Sequence, residues 1–276
     1  MIRGPGLFSD IGKKARDLLT KDYSYDQKFT LSTFSEVGVG ITSTAVKKGG
    51  ISCGDIAVQY KHKSTIVDLK VDTESNILTT FTISEILPST KAIVSFKLPD
   101  HNSGKLEVQY FHDHAGFSSI VGLNGSPTVD LTGTIGTQGF AIGVEAGFNT
   151  TSNAMTKYNA GLSLTKPELC ASVILADKGD NFKVSYMHTF DKFNASSIVA
   201  ELSRKFSTNE NTITVGGAYK VDPLTTVKAR LNNHGKLGAL LQHELKPKSV
   251  LTLSGEFDTK SMDKTPRLGL ALALKP

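Results

Sequence analysis

Tryptophan is absent from this 276-residue chain, and cysteine occurs only twice, at Cys53 and Cys170. Two cysteines are too few for a disulfide scaffold, and a chain of this length can bury a core without such cross-links. No stretch approaches the roughly 18 to 20 consecutive apolar residues that a membrane-spanning helix requires. The sequence therefore excludes spanning helices, and its first residues lack the continuous apolar region of a secretory signal peptide.

Charge of one sign is only mildly in excess. Lysine and arginine together number 31 and aspartate and glutamate 26, which gives a net charge of +5. A cavity that shares this excess should favour anions, but the excess is too small to indicate nucleic acid as a dedicated ligand. With 39 % apolar residues the chain is predicted to be folded.

Residues 1–25 are predicted to form an N-terminal amphipathic helical segment. Apolar side chains recur at helical spacing between residues 7 and 20, at Leu7, Ile11, Ala15, Leu18 and Leu19. Such a helix could lie on a membrane surface, serve as a presequence, or pack against the wall of a wet cavity. The acidic residues Asp10 and Asp17 argue against a presequence, because transit peptides are poor in acids.

Residues 26–276 are predicted to form one all-β domain, because short alternating segments replace the helical period there. The last segment is the clearest, with leucine at positions 268, 270, 272 and 274 and smaller or charged residues between them. Turn sequences such as Lys48-Gly49-Gly50 separate the segments. At about 9 to 11 residues per strand plus short turns, the domain accommodates on the order of 18 to 20 strands.

Two architectures are compatible with this alternation. A transmembrane β-barrel turns its apolar face to lipid, whereas a soluble β-rich binding module turns that face inward. Long, evenly spaced strands and one extended sheet that needs closure favour the barrel, because an open sheet of this size leaves unpaired edges. The soluble module remains the alternative at this point.

Three segments resemble the mitochondrial porins, the voltage-dependent anion channels of the outer mitochondrial membrane. They are residues 9–23, residues 219–233 with the following Gly238-Ala239-Leu240-Leu241, and the final 267–274. Residues 97–100 and 107–113 look most like the plant members. Two positions depart from common family patterns: Ser89-Thr90-Lys91 stands where many members have Gly-Leu-Lys, and Leu69 stands where several animal members have a membrane-facing glutamate.

The resemblance implies a barrel of about 19 strands, antiparallel except for a parallel first and last pair, with the N-terminal helix in the pore. It also implies a voltage-gated, weakly anion-selective pore in the mitochondrial outer membrane. Small ions and metabolites such as ATP, ADP and phosphate would pass, and neither an enzymatic activity nor a cofactor is expected. The implied partners are membrane lipids, anionic metabolites and nucleotides, and the resemblance leaves open a homo-oligomer and docking of hexokinase or the cytoskeleton.

Basic residues on the expected inner face, with those of the helix, are the candidate residues for selectivity and gating. They are Lys13, Lys14, Arg16, Lys21, Lys61, Lys91, Lys97, Lys105, Lys228, Arg230 and Lys236. A cationic lining raises the local concentration of anions. The helix is the preferred gate, since Gly4, Gly6 and Gly12 give it flexibility, and movement of the wall is the competing hypothesis.

Other motifs carry little chemistry. No acid, base or nucleophile positions converge, so the sequence indicates no catalytic residues. His112-Asp113-His114 places two imidazoles on one expected strand face, but no third ligand at defined spacing accompanies them, and no metal site is predicted. The seven tyrosines are expected at membrane-facing positions.

Overall fold

A computed structural model describes residues 4–190, 196–261 and 265–275 and shows one sheet of 19 strands. No helix in these residues is long and apolar enough to cross a bilayer. The one α-helix among the described residues, α1, spans Lys13–Thr20. The strands are β1 Gln27–Phe34, β2 Val39–Lys48, β3 Ile51–His62, β4 Thr65–Asp72, β5 Ile77–Ser84, β6 Thr90–Leu98, β7 Lys105–Phe111, β8 Ala115–Gly122, β9 Thr128–Gly136, β10 Phe140–Asn149, β11 Ala154–Thr165, β12 Leu169–Ala176, β13 Asn181–Thr189, β14 Ser197–Lys205, β15 Glu210–Asp222, β16 Thr225–Asn232, β17 Lys236–Lys246, β18 Ser249–Asp258 and β19 Arg267–Leu274.

The sheet closes on itself. Each strand pairs antiparallel with the next, and β1 pairs in parallel with β19, where Gln27 stands opposite Leu270 and Leu31 opposite Leu274. An odd strand number forces this one parallel pair. Closure supplies hydrogen-bond partners to strand edges that would otherwise cost several kcal/mol per unpaired group in hydrocarbon. The predicted barrel, including its parallel first and last pair, is confirmed.

The two faces of the wall differ as the alternation requires. On β3, the side chains of Ile56 and Tyr60 are about half exposed on the outside, while Asp55, Gln59 and Lys61 share the opposite, inner face. The same holds along the register from strand to strand, so large apolar side chains cover the outer surface. A soluble sandwich would hide those side chains, and the structure excludes that alternative.

The N-terminal segment, here residues 4–26, is less regular than one continuous helix over residues 7–20. A short 3₁₀ turn covers Phe8–Asp10, Ile11 is extended, and α1 begins only after Gly12. Gly12 has a φ of 68°, a left-handed conformation that glycine adopts without the steric cost of a Cβ. The glycine therefore interrupts the helix before α1 begins.

Candidate functional site

The N-terminal segment lies inside the barrel against one side of the wall. Ala15, Leu18 and Leu19 of α1 are buried together with Val199 of β14, and Met187 and Ala218 pack around them. Val199 has no exposed surface, although it lies on the inner face of the barrel wall. The apolar stripe of the helix is thus satisfied by the wall, and the charged residues Lys13, Lys14, Arg16 and Lys21 remain exposed toward the lumen.

Glycines on the inner face make room for this segment. A Cβ on Gly143 would stand 2.8 Å from Cδ2 of Phe8, and one on Gly161, its cross-strand partner, would stand 3.3 Å from Ile11. The hydroxyl of Thr134 donates to the carbonyl oxygen of Gly6 at 2.5 Å. Gly143 of β10 and Gly161 of β11 therefore let the N-terminal segment pack closely against the wall.

Arg230 of β16 holds the end of α1. Its Nη1 donates to the carbonyl oxygen of Leu19 at 2.7 Å, its Nη2 donates to the hydroxyl of Tyr25 at 2.8 Å, and Glu256 lies 3.5 Å away. The guanidinium also lies over the ring of Tyr23, 4.4 Å from its centre. Because the last carbonyls of a helix lack partners within it, a guanidinium at that position stabilises the helix end.

The residues between α1 and β1 are fixed by further contacts with the same wall. Lys228 pairs with Asp22 at 3.2 Å, and the hydroxyl of Ser254 donates to the carbonyl oxygen of Ser24. The phenol of Tyr25 donates to Glu256 at 2.8 Å. The segment that joins helix and barrel is therefore attached to β16 through Lys228 and to β18 through Ser254 and Glu256.

Tyr23 and Tyr25 correct one expectation from the sequence, because both lie in the lumen and not on the membrane face. Burial raises the pKa of Tyr23 to about 12. Burial and the hydrogen bond to Glu256 raise the pKa of Tyr25. Both phenols therefore stay neutral and keep their packing and donor roles at physiological pH.

The predicted basic wall residues all fall on the inner face, but they divide into two groups. Lys228 and Arg230 have carboxylate partners and hold the N-terminal segment. In the described part of the chain, no carboxylate lies within ion-pair distance of Lys61, Lys91, Lys97, Lys105 or Lys236. On the helix, Lys13 pairs with Asp10 at 3.3 Å and Arg16 donates to the carbonyl oxygen of Ser9 at 3.1 Å.

Lys157 of β11 is an inner-face residue that was absent from the predicted set. Its Nζ lies 3.0 Å from Asp130 and 2.5 Å from Glu145, and the amide of Asn159 donates to Glu145 at 2.7 Å. Lys157 has the same parity as Asn159 and Gly161, so the sequence pattern already places it on the polar, inner face of its strand. Its two acidic partners, which lie on neighbouring strands, could be found only from the register.

The histidine pair also differs from expectation. His112 and His114 lie in the turn between β7 and β8 and not within a strand, and their ring centres are 6.2 Å apart. No group of three side chains of the metal-binding types forms within the described ranges. Leu69 faces outward and is 39 % exposed, and Lys91 of the Ser89-Thr90-Lys91 triplet faces the lumen.

The chain is similar to known proteins over almost its whole length. The family model described as eukaryotic porin matches residues 4–269. The chain is 64 % identical over 275 residues to mitochondrial outer membrane protein porin 5 of Oryza sativa subsp. japonica, across 100 % of this chain and 99 % of that protein. It is 61 % identical over 276 residues to mitochondrial outer membrane protein porin 2 of Arabidopsis thaliana, across the whole of both.

Solved structures show the same architecture at low sequence identity. A mutant of the Rh. blastica porin superposes with a TM-score of 0.50 at 11 % identity, over 88 % of this chain and 94 % of that chain. At this identity the likeness concerns the barrel fold alone.

Proposed function

Because the chain belongs to the eukaryotic porin family and forms a pore of the mitochondrial outer membrane, we propose that it is a voltage-gated, weakly anion-selective diffusion channel. Small ions and metabolites such as ATP, ADP and phosphate pass through its lumen. The observation that carries this proposal is the group of inner-face lysines that have no carboxylate within ion-pair distance in the described part of the chain.

These lysines support the anion preference because each adds positive charge to the lumen, which the inner-face carboxylates Asp68 and Glu107 offset only in part. Lys61, Lys91, Lys97 and Lys105 lie on β3, β6 and β7, whereas α1 packs against β13 to β16 on another part of the wall. The open part of the lumen therefore carries them without cover from the helix. Their field raises the local concentration of anions, and the preference weakens with ionic strength.

The dimensions of the barrel suit diffusion of hydrated metabolites. Nineteen strands at a spacing of roughly 4.8 Å and a tilt near 40° give a backbone diameter of about 35 to 40 Å. Inward side chains and the N-terminal segment occupy part of this width. The remaining passage is lined by side chains of both signs. Permeation through it is diffusion and needs no covalent chemistry.

Voltage dependence requires charge to move in the field, and the N-terminal segment carries Lys13, Lys14, Arg16 and Lys21. One elementary charge that crosses the full field gains about 2.3 kcal/mol per 100 mV. Burial of Leu18 and Leu19 against the wall contributes about 1.5 to 3 kcal/mol for each side chain. The energy that one charge gains from the field is therefore comparable to the burial energy of a single leucine. A moderate voltage can shift the segment, with both leucines buried, only if several charges move together.

Reconstitution of the full chain in a planar bilayer with a salt gradient tests the proposal. The expected result is a large conductance at low voltage, a reversal potential of the sign for anion preference, and closure at higher voltage of either sign. The combined substitution of Lys13, Lys14 and Arg16 by glutamine should reduce the preference for anions. A reversal potential of zero or of the opposite sign for the parent chain would refute anion selectivity.

A further inference from the structure

Histidines are distributed unevenly between the two ends of the barrel. Every even-numbered strand begins at one end, here called the even rim, and every odd-numbered strand begins at the other, the odd rim. Five of the seven histidines in the sequence lie at the even rim: His62, His112, His114, His188 and His243. The remaining two, His101 and His234, lie in turns at the odd rim.

Three of the even-rim histidines lie on strands and face outward. His62 stands opposite Thr65, His188 opposite Leu169, and His243 opposite Thr225. Each of these partners is the first residue of its strand, so the three histidines mark the same edge of the wall. Their face is the lipid-facing one, because each lies two residues beyond an outward side chain of the same strand: Tyr60, Tyr186 and Leu241.

Tyrosines form a second layer just inside the histidines. Tyr60, Tyr110, Tyr186 and Tyr219 face outward near the even rim, with between 40 % and 61 % of their surface exposed. Tyrosine is enriched where hydrocarbon gives way to headgroups, because its ring is apolar and its hydroxyl is polar. This layer therefore places the histidines beyond the hydrocarbon, at the depth of the lipid headgroups.

Each of the three imidazoles has a defined neighbour in the wall. The ring of His62 stacks on that of Tyr60 with centres 6.3 Å apart. The Nδ1 of His188 is buried without a hydrogen-bond partner, and its ring meets the edge of Phe190 at 4.7 Å. The Nδ1 of His243 lies 2.9 Å from the hydroxyl of Thr225.

Charged neighbours at this rim carry both signs. Lys63 follows His62 directly in the chain. The turn between β1 and β2, which contains Glu36, lies next to this site, because the carbonyl oxygen of Gly38 in that turn accepts a hydrogen bond from the amide of Lys61. The turn between β11 and β12, which contains Lys166 and Glu168, lies next to His188, because the carbonyl oxygen of Glu168 accepts a hydrogen bond from the amide of Thr189.

Around His243, the neighbouring charges are Glu244 and Lys246 on the same strand. Lys248, in the turn to β18, donates its amide to the Glu244 carboxylate. Opposite His243, β16 presents Thr225 and β18 presents Leu251, and neither carries charge. Acids and bases are mixed in this way around all three sites, so protonation of the histidines would add positive charge to a rim of mixed sign.

We propose that the even rim is a docking surface for anionic phospholipid headgroups, formed by His62, His188 and His243 above the tyrosine layer, and that it binds these headgroups more tightly as the pH falls. Histidine gains its positive charge in the range between about pH 8 and pH 5. A protonated imidazole at headgroup depth donates to a lipid phosphate and attracts it. The odd rim has no comparable outward row among the described residues, so the effect is confined to one membrane leaflet.

Spin-labelled lipids measure this preference directly. The full chain is reconstituted in phosphatidylcholine vesicles, and the association of spin-labelled phosphatidylglycerol relative to spin-labelled phosphatidylcholine is read from the motionally restricted spectral component. We expect this ratio to rise about twofold to threefold between pH 7.5 and pH 5.5. An unchanged ratio in the parent chain would overturn the proposal, and conductance of the same preparation shows separately whether the pore is intact.

Two sets of substitutions locate the effect. The combined variant His62→Gln, His188→Gln and His243→Gln should show no rise in the ratio at low pH, because glutamine keeps polarity without titrating. The control variant His101→Gln with His234→Gln removes the odd-rim histidines and should keep the full rise. Persistence of the rise in the triple variant, or its loss in the control, would contradict the assignment to the even rim. If the triple variant does not fold, the single variant His62→Gln should show a partial loss.

Discussion

The guanidinium of Arg230 donates to the carbonyl oxygen of Leu19 across 211 positions of the chain, at 2.7 Å. This contact joins the last turn of α1 to the middle of β16. Gly216 and Gly238, which flank Arg230 on the neighbouring strands, leave the space that Leu19 and the guanidinium occupy. The stretch from Tyr219 to Asn233 that carried much of the family resemblance is therefore also the part of the wall that holds the helix.

Substitution of Arg230 by glutamine should loosen α1. A hydrogen bond to a charged donor contributes about 1.5 to 3 kcal/mol, which corresponds to roughly tenfold to hundredfold faster hydrogen exchange if the helix opens locally. Hydrogen–deuterium exchange of residues 13–20 in detergent micelles measures the change. Lys220→Gln is the matched control, because Lys220 faces the lumen on β15 without an ion pair in the described residues. Equal exchange rates in the two variants would show that Arg230 does not hold the helix.

Arg230→Gln also separates the two gating hypotheses. If the N-terminal segment moves during closure, its weaker attachment should lower the voltage at which half of the channels close. If only the wall moves, that voltage should stay the same while helix exchange increases. Single-channel recordings of the variant and of Lys220→Gln in planar bilayers distinguish these outcomes.

A bulky residue at Gly143 should displace the first turn of the N-terminal segment. A Cβ there already stands 2.8 Å from Phe8, 2.8 Å from Cγ2 of Thr134 on β9 and 3.0 Å from Ile11, so Gly143→Val crowds both the N-terminal segment and the wall residue that binds Gly6. We expect faster hydrogen exchange in residues 7–12 and an altered conductance. Gly133→Val is the control, because its Cβ points outward and meets only the ring of Phe117 at an ordinary 3.5 Å. An effect of equal size at both positions would point to general damage to the barrel.

Removal of the unpaired lysines should reduce anion preference. The combined substitution of Lys61, Lys91, Lys97 and Lys105 by glutamine should bring the ratio of chloride to potassium permeability toward one or below it. The difference from the parent should shrink between 0.1 M and 1 M salt, because the Debye length falls from about 10 to 3 Å. Lys47→Gln controls for charge outside the lumen, since Lys47 faces outward on β2. A ratio unchanged by the fourfold substitution would remove these lysines from the selectivity mechanism.

Titration of tyrosine should reveal the buried phenol of the N-terminal segment. The pKa of Tyr23 is about 12 against an ordinary value of 10.0, because burial disfavours the phenolate. The stabilisation that neutral Tyr23 gives to the docked segment is therefore present in full below pH 10 and is lost as the pH rises toward 12. Ultraviolet absorbance of the phenolate should show one late-titrating group fewer in Tyr23→Phe than in the parent, while Tyr25, whose pKa is also raised, still titrates late in both. An unchanged number of late-titrating groups in the variant would show that Tyr23 is not one of them.

Much of the fold follows from local sequence pattern. Outward leucines at 268, 270, 272 and 274, and the alternation of Ile56 and Tyr60 with Asp55 and Lys61, fix the two faces of individual strands. The apolar stripe of α1 likewise identifies the residues that become buried. These patterns depend only on the geometry of one strand or helix, so they are readable without knowledge of the partners.

The candidate site was only partly readable in the same way. Inner-face parity placed Lys61, Lys91 and Lys105 toward the lumen, but it could not tell them from Lys228 and Arg230, which have carboxylate partners. Tyr23 and Tyr25 were expected at the membrane because tyrosine commonly lies there, whereas contact with Arg230 keeps them inside. The roles of the basic residues in selectivity and gating remain predictions.

Local periodicity was enough to predict an amphipathic N-terminal segment followed by many alternating strands, because a repeat of 3.6 or 2 residues is a property of chain neighbours. The closed fold was needed to learn which part of the wall receives α1, which lysines have no carboxylate within ion-pair distance, and which histidines share one rim. Those relationships join residues far apart in the chain, and they exist only once β1 pairs with β19 and the closed register brings them to the same height.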